Sequence, residues 1–315
     1  MRYASLSLLL VLAISCDSGS DAPVTPTVSF EPTLAVTEDN ALDFARVGMR
    51  AVFDLPNLAY IGASFLRQPV PQDPNAPSNP GTPVTLSAER AGPDGGTAVY
   101  SWEDIRVDNL FSTDDIITIN FEDYADGDLT LNGIMIIDDL RTQGTVTQGG
   151  GTWLADATLR LLNLEVQLGA GTFILNEELP FRVENRELIE IFDLFLFEDL
   201  FLGEFEMKQN SRWLRYETDD ELSYQVDGFA FSPELDGVVR FKTDSVVFVN
   251  TFSGNPTEGF VVVNGTPGTF IEVQSTSICS LPIPLPCTFD VRVEEDGEEG
   301  FETTLQITAP ELLPQ

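Results

Sequence analysis

A chain of 315 residues can bury a large core, as one big β domain or two smaller ones. Its hydrophobic content of 43%, with 22 Phe, excludes a disordered chain. Acids outnumber bases 51 to 16, the net charge is −35, and there is no His, which excludes Ser-His-Asp and Cys-His catalysis and His-ligated zinc. Such a surface also repels nucleic acid and anionic lipid headgroups. The acidity suits a salty medium, where screening raises stability, or carboxylate sites for divalent cations.

The chain opens on Arg2, an apolar run over residues 4–14, then Ser15 and Cys16. One positive charge, a short apolar stretch and a small-residue cleavage site predict an export signal over residues 1–15. The run is too short to cross a bilayer as a helix, which takes ~20 apolar residues. Leu12-Ala13-Ile14-Ser15-Cys16 resembles the lipobox of bacterial lipoproteins, with Ala13 where that family most often has Leu. The resemblance implies lipid on the Cys16 sulfur and anchoring to the bacterial inner or outer membrane, facing the periplasm or the cell surface. Asp17 resembles the inner-membrane retention signal of enteric bacteria. Residues 16–32, rich in Ser, Asp, Pro and Thr, read as the lipidated Cys and a flexible tether.

Thr37-Glu38-Asp39-Asn40 predicts a helix start, with Thr37 or Asn40 as its cap and acids at the positive end of the dipole. Leu42, Ala45, Met49, Val52 and Phe53 recur at helical spacing, and Pro56 is a natural stop. The apolar face is expected to cover a sheet or to plug a cavity. Six prolines over residues 68–83 mark an exposed loop.

From about Val84 the pattern becomes β. Residues 116–121 read as a strand, Asp126-Gly127 as a turn, and Asn132-Gly133 as a type I′ hairpin between apolar runs. Further strands are predicted over residues 158–168, 172–175, 181–183, 213–216, 225–231, 237–242, 246–250, 260–263, 270–274, 289–294 and 303–308. Residues 186–207 are apolar on both faces. Their Phe and Ile content favours strands broken near Glu198-Asp199 over a helix. The expected fold is all-β: a large antiparallel meander, as a curved sheet, half-barrel or sandwich, with one N-terminal helix.

Asp126-Gly127…Asn132-Gly133 is echoed by Glu258-Gly259…Asn264-Gly265. Either common turn chemistry recurs, or residues 33–315 hold two related halves, about 33–225 and 226–315. The run over residues 256–273, followed by 291–302, resembles a stretch of uncharacterised secreted bacterial lipoproteins, and residues 121–133 resemble another. That resemblance implies an exported all-β protein and carries no activity.

Four groups of residues are candidates for function. Cys279 and Cys287, around a Pro-rich loop, are expected to form a disulfide in an exported protein. Asp123, Asp126 and Asp128, or Glu294, Glu295, Asp296 and Glu298, offer the hard oxygens that Ca²⁺ takes; solvated acidic loops are the alternative. Phe192, Phe195, Phe197, Phe201 and Phe205 either fill a core or line an apolar groove for a lipid or acyl chain. Catalytic residues are not marked by any motif. The sequence therefore points to a membrane-anchored, non-enzymatic binding or structural protein of the cell envelope. Two alternatives are an apolar-ligand carrier and a carboxylate-based hydrolase. The expected partners are the membrane, through Cys16, and an envelope protein or lipid.

Overall fold

The computed structural model describes residues 30–68, 84–105, 111–127, 129–146, 151–168, 171–186, 189–218, 221–249, 256–276, 288–297 and 300–312. Cys16, Asp128, Cys279, Cys287 and Glu298 lie outside the described residues. Residues Glu31–Gln315 form one compact unit.

Helix α1 spans Ala41–Ala63 and continues as a 3-10 turn, η1, over Ser64–Arg67. Two expectations are corrected here. Asn40 stands at the N-cap but makes no side-chain cap; its Oδ1 accepts from Thr37 N at 2.8 Å and its Nδ2 donates to Ala35 O at 3.0 Å. Its side chain thus organises the entry turn. Pro56 does not stop the helix. A proline inside a helix costs ~3 kcal/mol, because it removes a hydrogen bond and crowds the preceding turn. Beyond it Leu58, Ile61, Phe65 and Leu66 are all buried. At ~1.5–3 kcal/mol for each large apolar side chain, their burial outweighs the proline several-fold.

The strands form a single open antiparallel sheet of 17 strands. β1 (Val84–Ala91), β2 (Gly95–Asp104), β3 (Ile116–Asp126), β4 (Leu129–Gln143) and β5 (Thr152–Leu168) pair in sequence. β5 then serves two partners. β6 (Gly171–Leu175) takes its far end and β7 (Glu178–Arg186) the rest, so the β5–β6 hairpin overhangs the sheet. β7 pairs with β8 (Ile189–Phe195), and β8 with β11 (Arg212–Glu217). β12 (Leu222–Ser232), β13 (Gly237–Val249), β14 (Pro256–Asn264), β15 (Phe270–Ser275), β16 (Thr288–Glu294) and β17 (Thr303–Thr308) complete the meander. The small hairpin of β9 (Leu200–Leu202) and β10 (Phe205–Met207) joins through β10 to β12. The described residues of 189–207 are therefore three short strands and not a helix, with the break at the expected place.

Asn132-Gly133 is not a hairpin turn: β4 runs through it, and the β3–β4 turn is at Gly127. Gly133 sits at a bulge, at φ +118, where a Cβ would lie 2.6 Å from Asn163 O. Asn132 pairs with the bulged Asp123 instead, accepting from its backbone N at 2.8 Å and donating to its Oδ1 at 3.0 Å. In the echo the roles are exchanged. Gly259 is the bulge inside β14, and Asn264-Gly265 leads into the turn. The two stretches thus share residue types, not structural places. The stretches at 237–242 and 246–250 prove to be one irregular strand, β13.

The core lies between the helix and the inner face of the sheet. Side chains alternate along β5, with Trp153, Ala155, Leu159 and Leu161 inward, as a sheet half in contact with water requires. α1 and η1 run across the strands. Gly48 meets Val263 of β14, Ala51 O accepts from Trp213 Nε1 of β11 at 2.8 Å, and Gly62 meets Leu159 of β5. Phe65 stacks edge-on against Tyr100 of β2 and Phe121 of β3. No residue of α1 is fully exposed, so the sheet curls about the helix. The void between Met49 and β14–β16 holds about 10 Å³, at the lower limit for a single water.

Candidate functional site

A cleft of about 440 Å³ opens on the other side of the molecule's wall, where β5 and β7 meet the β8–β9 turn. It contains no residue of α1. Phe197 and Pro180 stand at its edge, and the buried Leu179, Leu196 and Leu200 lie beneath it. Thr158 and Asn176 add neutral polar groups, and Glu177, Glu178, Glu198 and Asp199 add the acids. Three large apolar side chains stand in water at this end: Phe197 is 65% exposed, Ile174 62% and Phe201 53%. Phe195 and Phe197 touch edge-on, at 4.7 Å between rings. β6 and β9 run close together here, and a Cβ on Gly203 would meet Phe173 at 3.8 Å.

The four acids differ in their partners. Glu178 pairs with Arg160 at 2.9 Å. Asp199 pairs with Lys208 at 3.2 Å and accepts from Gln209 N at 2.8 Å. Among the described residues, no ion pair compensates Glu177 or Glu198. Burial pushes the Glu177 carboxyl above its ordinary value, and the charge of Glu198 pushes it further. The cleft therefore sets the exposed Phe197 ring beside uncompensated negative charge.

A second polar cluster sits under the C-terminal end of α1. The β8–β11 register sets Glu190 directly opposite Glu217, and like charges so placed repel. Tyr60 Oη lies 2.6 Å from Glu217 Oε2 and 2.9 Å from Glu190 Oε1, and its one proton serves one of them. Arg67 donates to the Tyr60 oxygen and to Glu190, and Arg215 Nη1 reaches Glu217 at 2.6 Å. The Arg215 guanidinium also lies 3.4 Å over the Tyr60 ring. Burial alone would raise Glu217, but Arg215, Tyr60 and Arg67 together hold it below its usual value. Burial raises the Tyr60 phenol, which keeps it a neutral donor. Two carboxylates thus meet two guanidiniums, and the cluster buttresses the helix against β8 and β11. Glu190 Oε2 and Arg215 Nε are buried without a protein partner.

The other sequence-predicted positions are scattered. Asp123 is exposed and bonded to Asn132, and Asp126 belongs to the end of β3. Carboxylate oxygens of Glu294, Asp296 and Glu302 lie within 4.8 Å of one another. This group keeps Glu294 and Asp296 from the expected set and adds Glu302. Glu294 already accepts from Gly297 N at 2.9 Å, and Glu302 from Glu295 N at 2.9 Å. Three oxygens are half of the six to eight that Ca²⁺ takes. The five phenylalanines do not share one groove: Phe192 and Phe205 are in the core, Phe195 is half-buried, and Phe197 and Phe201 face water.

Only the Phe-Glu-Asp run at 197–199 marked the cleft in the sequence. Its other wall comes from residues near 177, which are brought beside it by the β7–β8 pairing. The polar cluster gave no local signal, because its members are spread from Tyr60 to Glu217. Compared with protein-family models, curated proteins and solved structures, the chain finds no match.

Proposed function

We propose that this chain is a lipid-anchored protein of the bacterial cell envelope whose role is to bind a partner through its outer surface. The observation that carries this reading is the division of apolar surface. The inside of the curled sheet is filled by α1, with a void of about 10 Å³ against it, while Phe197, Phe201 and Ile174 are left in water beside a cleft of about 440 Å³. Exposed apolar residues clustered on so charged a protein mark an interaction site.

Among the described residues no helix is long and apolar enough to cross a membrane. The anchor in this reading is lipid on Cys16, followed by the tether. Two measurements test it. Wild-type protein is expected in the membrane fraction and a Cys16→Ala variant in the soluble fraction; a variant still at the membrane refutes the anchor. Native mass spectrometry of the purified protein is expected to show no co-purified lipid or acyl chain held by the folded part. Recovery of one in stoichiometric amount would favour the carrier instead.

A further inference from the structure

We propose that the cleft and the exposed Phe197, Phe201 and Ile174 dock a basic segment of a partner protein, with an aromatic or aliphatic side chain entering the cleft and Lys or Arg beside it. This rests on the reading of the chain as an interaction module and names the chemistry of the partner. A cleft of about 440 Å³ edged by Phe197 and Pro180, with the buried Leu179, Leu196 and Leu200 beneath it, has the volume for one or two large side chains. Covering Phe197 and Phe201 removes from water two rings that are more than half exposed, which is the usual anchor of a protein interface. The sign of the charge then selects the partner.

Glu178 and Asp199 have cations of this chain beside them, but among the described residues Glu177 and Glu198 have none and repel each other, and Glu177 is half-buried. A Lys or Arg placed between them relieves that repulsion, whereas an acidic or neutral segment leaves it. A second copy of this chain fits poorly. Each copy carries −35, and a two-fold contact through this face sets the same acids against themselves. An anionic bilayer is repelled for the same reason. Opposite charge also steers a basic partner from a distance, so association is fast at low salt and slows as salt is added.

The test uses full-length protein in a zwitterionic detergent and fluorescence anisotropy with three synthetic twelve-residue peptides. One has a central Trp-Leu flanked by lysines, one has the same centre flanked by glutamates, and one has lysines without the apolar pair. The Trp-Leu-lysine peptide is expected to bind best, and raised salt to weaken it. Phe197→Ser with Phe201→Ser, and separately Glu177→Gln with Glu198→Gln, are expected to weaken it by about tenfold or more, equivalent to about 1.4 kcal/mol. Glu89→Gln with Glu122→Gln removes the same charge from exposed strand positions elsewhere and is expected to leave binding intact.

Equal loss in both charge variants, or none in any variant, overturns the proposal, because the binding is then general attraction to an acidic protein. If the glutamate-flanked peptide binds as tightly as the lysine one and the Phe variants abolish both, the face docks proteins but not basic ones. The basic-partner inference then fails while the interaction-module reading survives. A dimer in sedimentation that the Phe variants dissociate would assign the face to a second copy and overturn the inference. All substituted side chains are exposed or at the cleft rim, and unchanged thermal melts separate lost binding from lost folding.

Discussion

Of the two glycines of α1, Gly48 leaves the less room against the sheet, and Gly48→Ala tests how the helix is seated. In an exposed helix this change is stabilising by ~1 kcal/mol, because Ala loses less backbone freedom than Gly. Here the added Cβ would stand 2.2 Å from Val263 Cγ2, where ~3.5–4.0 Å is comfortable for two carbons. Val263 cannot easily yield. Its own Cβ is 3.6 Å from the new methyl, Val261 Cγ1 is 3.7 Å away, and β14 is held on both sides by β13 and β15. Val263 is also fully buried, and its β-branched side chain is stiff at χ1. Overpacking of this kind costs ~1–3 kcal/mol. With the clash near the upper end, the variant is expected to be less stable by about 1–2 kcal/mol, or ~2–4 °C in Tm for a chain of this size.

A double-mutant cycle in urea separates the two effects. Val263→Ala alone leaves a cavity and is expected to cost ~1–3 kcal/mol. In the Gly48→Ala background the same change makes room for the new methyl, so the two costs fall short of additive by ~1 kcal/mol or more. An increase in stability for Gly48→Ala alone, or strict additivity with Val263→Ala, would refute the seating of α1 on β14.

Two further predictions concern the buttress and the cysteines. Because Glu217 is held below its unfolded value of ~4.3, its contribution is complete above that pH and is lost as the pH falls through the folded value. Glu217→Gln is expected to be ~1 kcal/mol less stable at pH 7, a figure discounted because the carboxylate is 35% exposed. The gap to wild type should close as the pH falls towards 3; a gap constant from pH 7 to 3 argues against the ion pairs at Glu217. Non-reducing peptide mapping is expected to link Cys279 to Cys287, and Cys279→Ala to cost ~2–3 kcal/mol. Two free thiols in the protein as isolated would remove that bridge.

The strand content was legible because period-2 alternation and β-branched residues are local signals. They located most of the strands, including the ambiguous stretch that became β8, β9 and β10. Composition alone excluded His chemistry, and the lipobox resemblance at Cys16 alone suggests the anchor. Local signals failed where tertiary contacts outweigh them. Pro56 reads as a stop, but the burial of Leu58, Ile61 and Phe65 exceeds the cost of one proline. Asn132-Gly133 reads as a turn, yet the bulge opposite Asn163 uses the same positive φ that a turn would.

The sites required the fold in the strict sense. Glu190 faces Glu217 because of a strand register, and Glu177 faces Glu198 across a cleft that exists only once β5, β7 and β8 are paired. Among the five phenylalanines, the four on strands are core or surface by the face of the sheet each occupies, and Phe197 is exposed in the β8–β9 turn. Residue types along the chain thus determined a β protein with a helix and a large negative charge. The curl of the sheet around that helix decided which apolar side chains were left in water, because a concave face filled by α1 has no room for them.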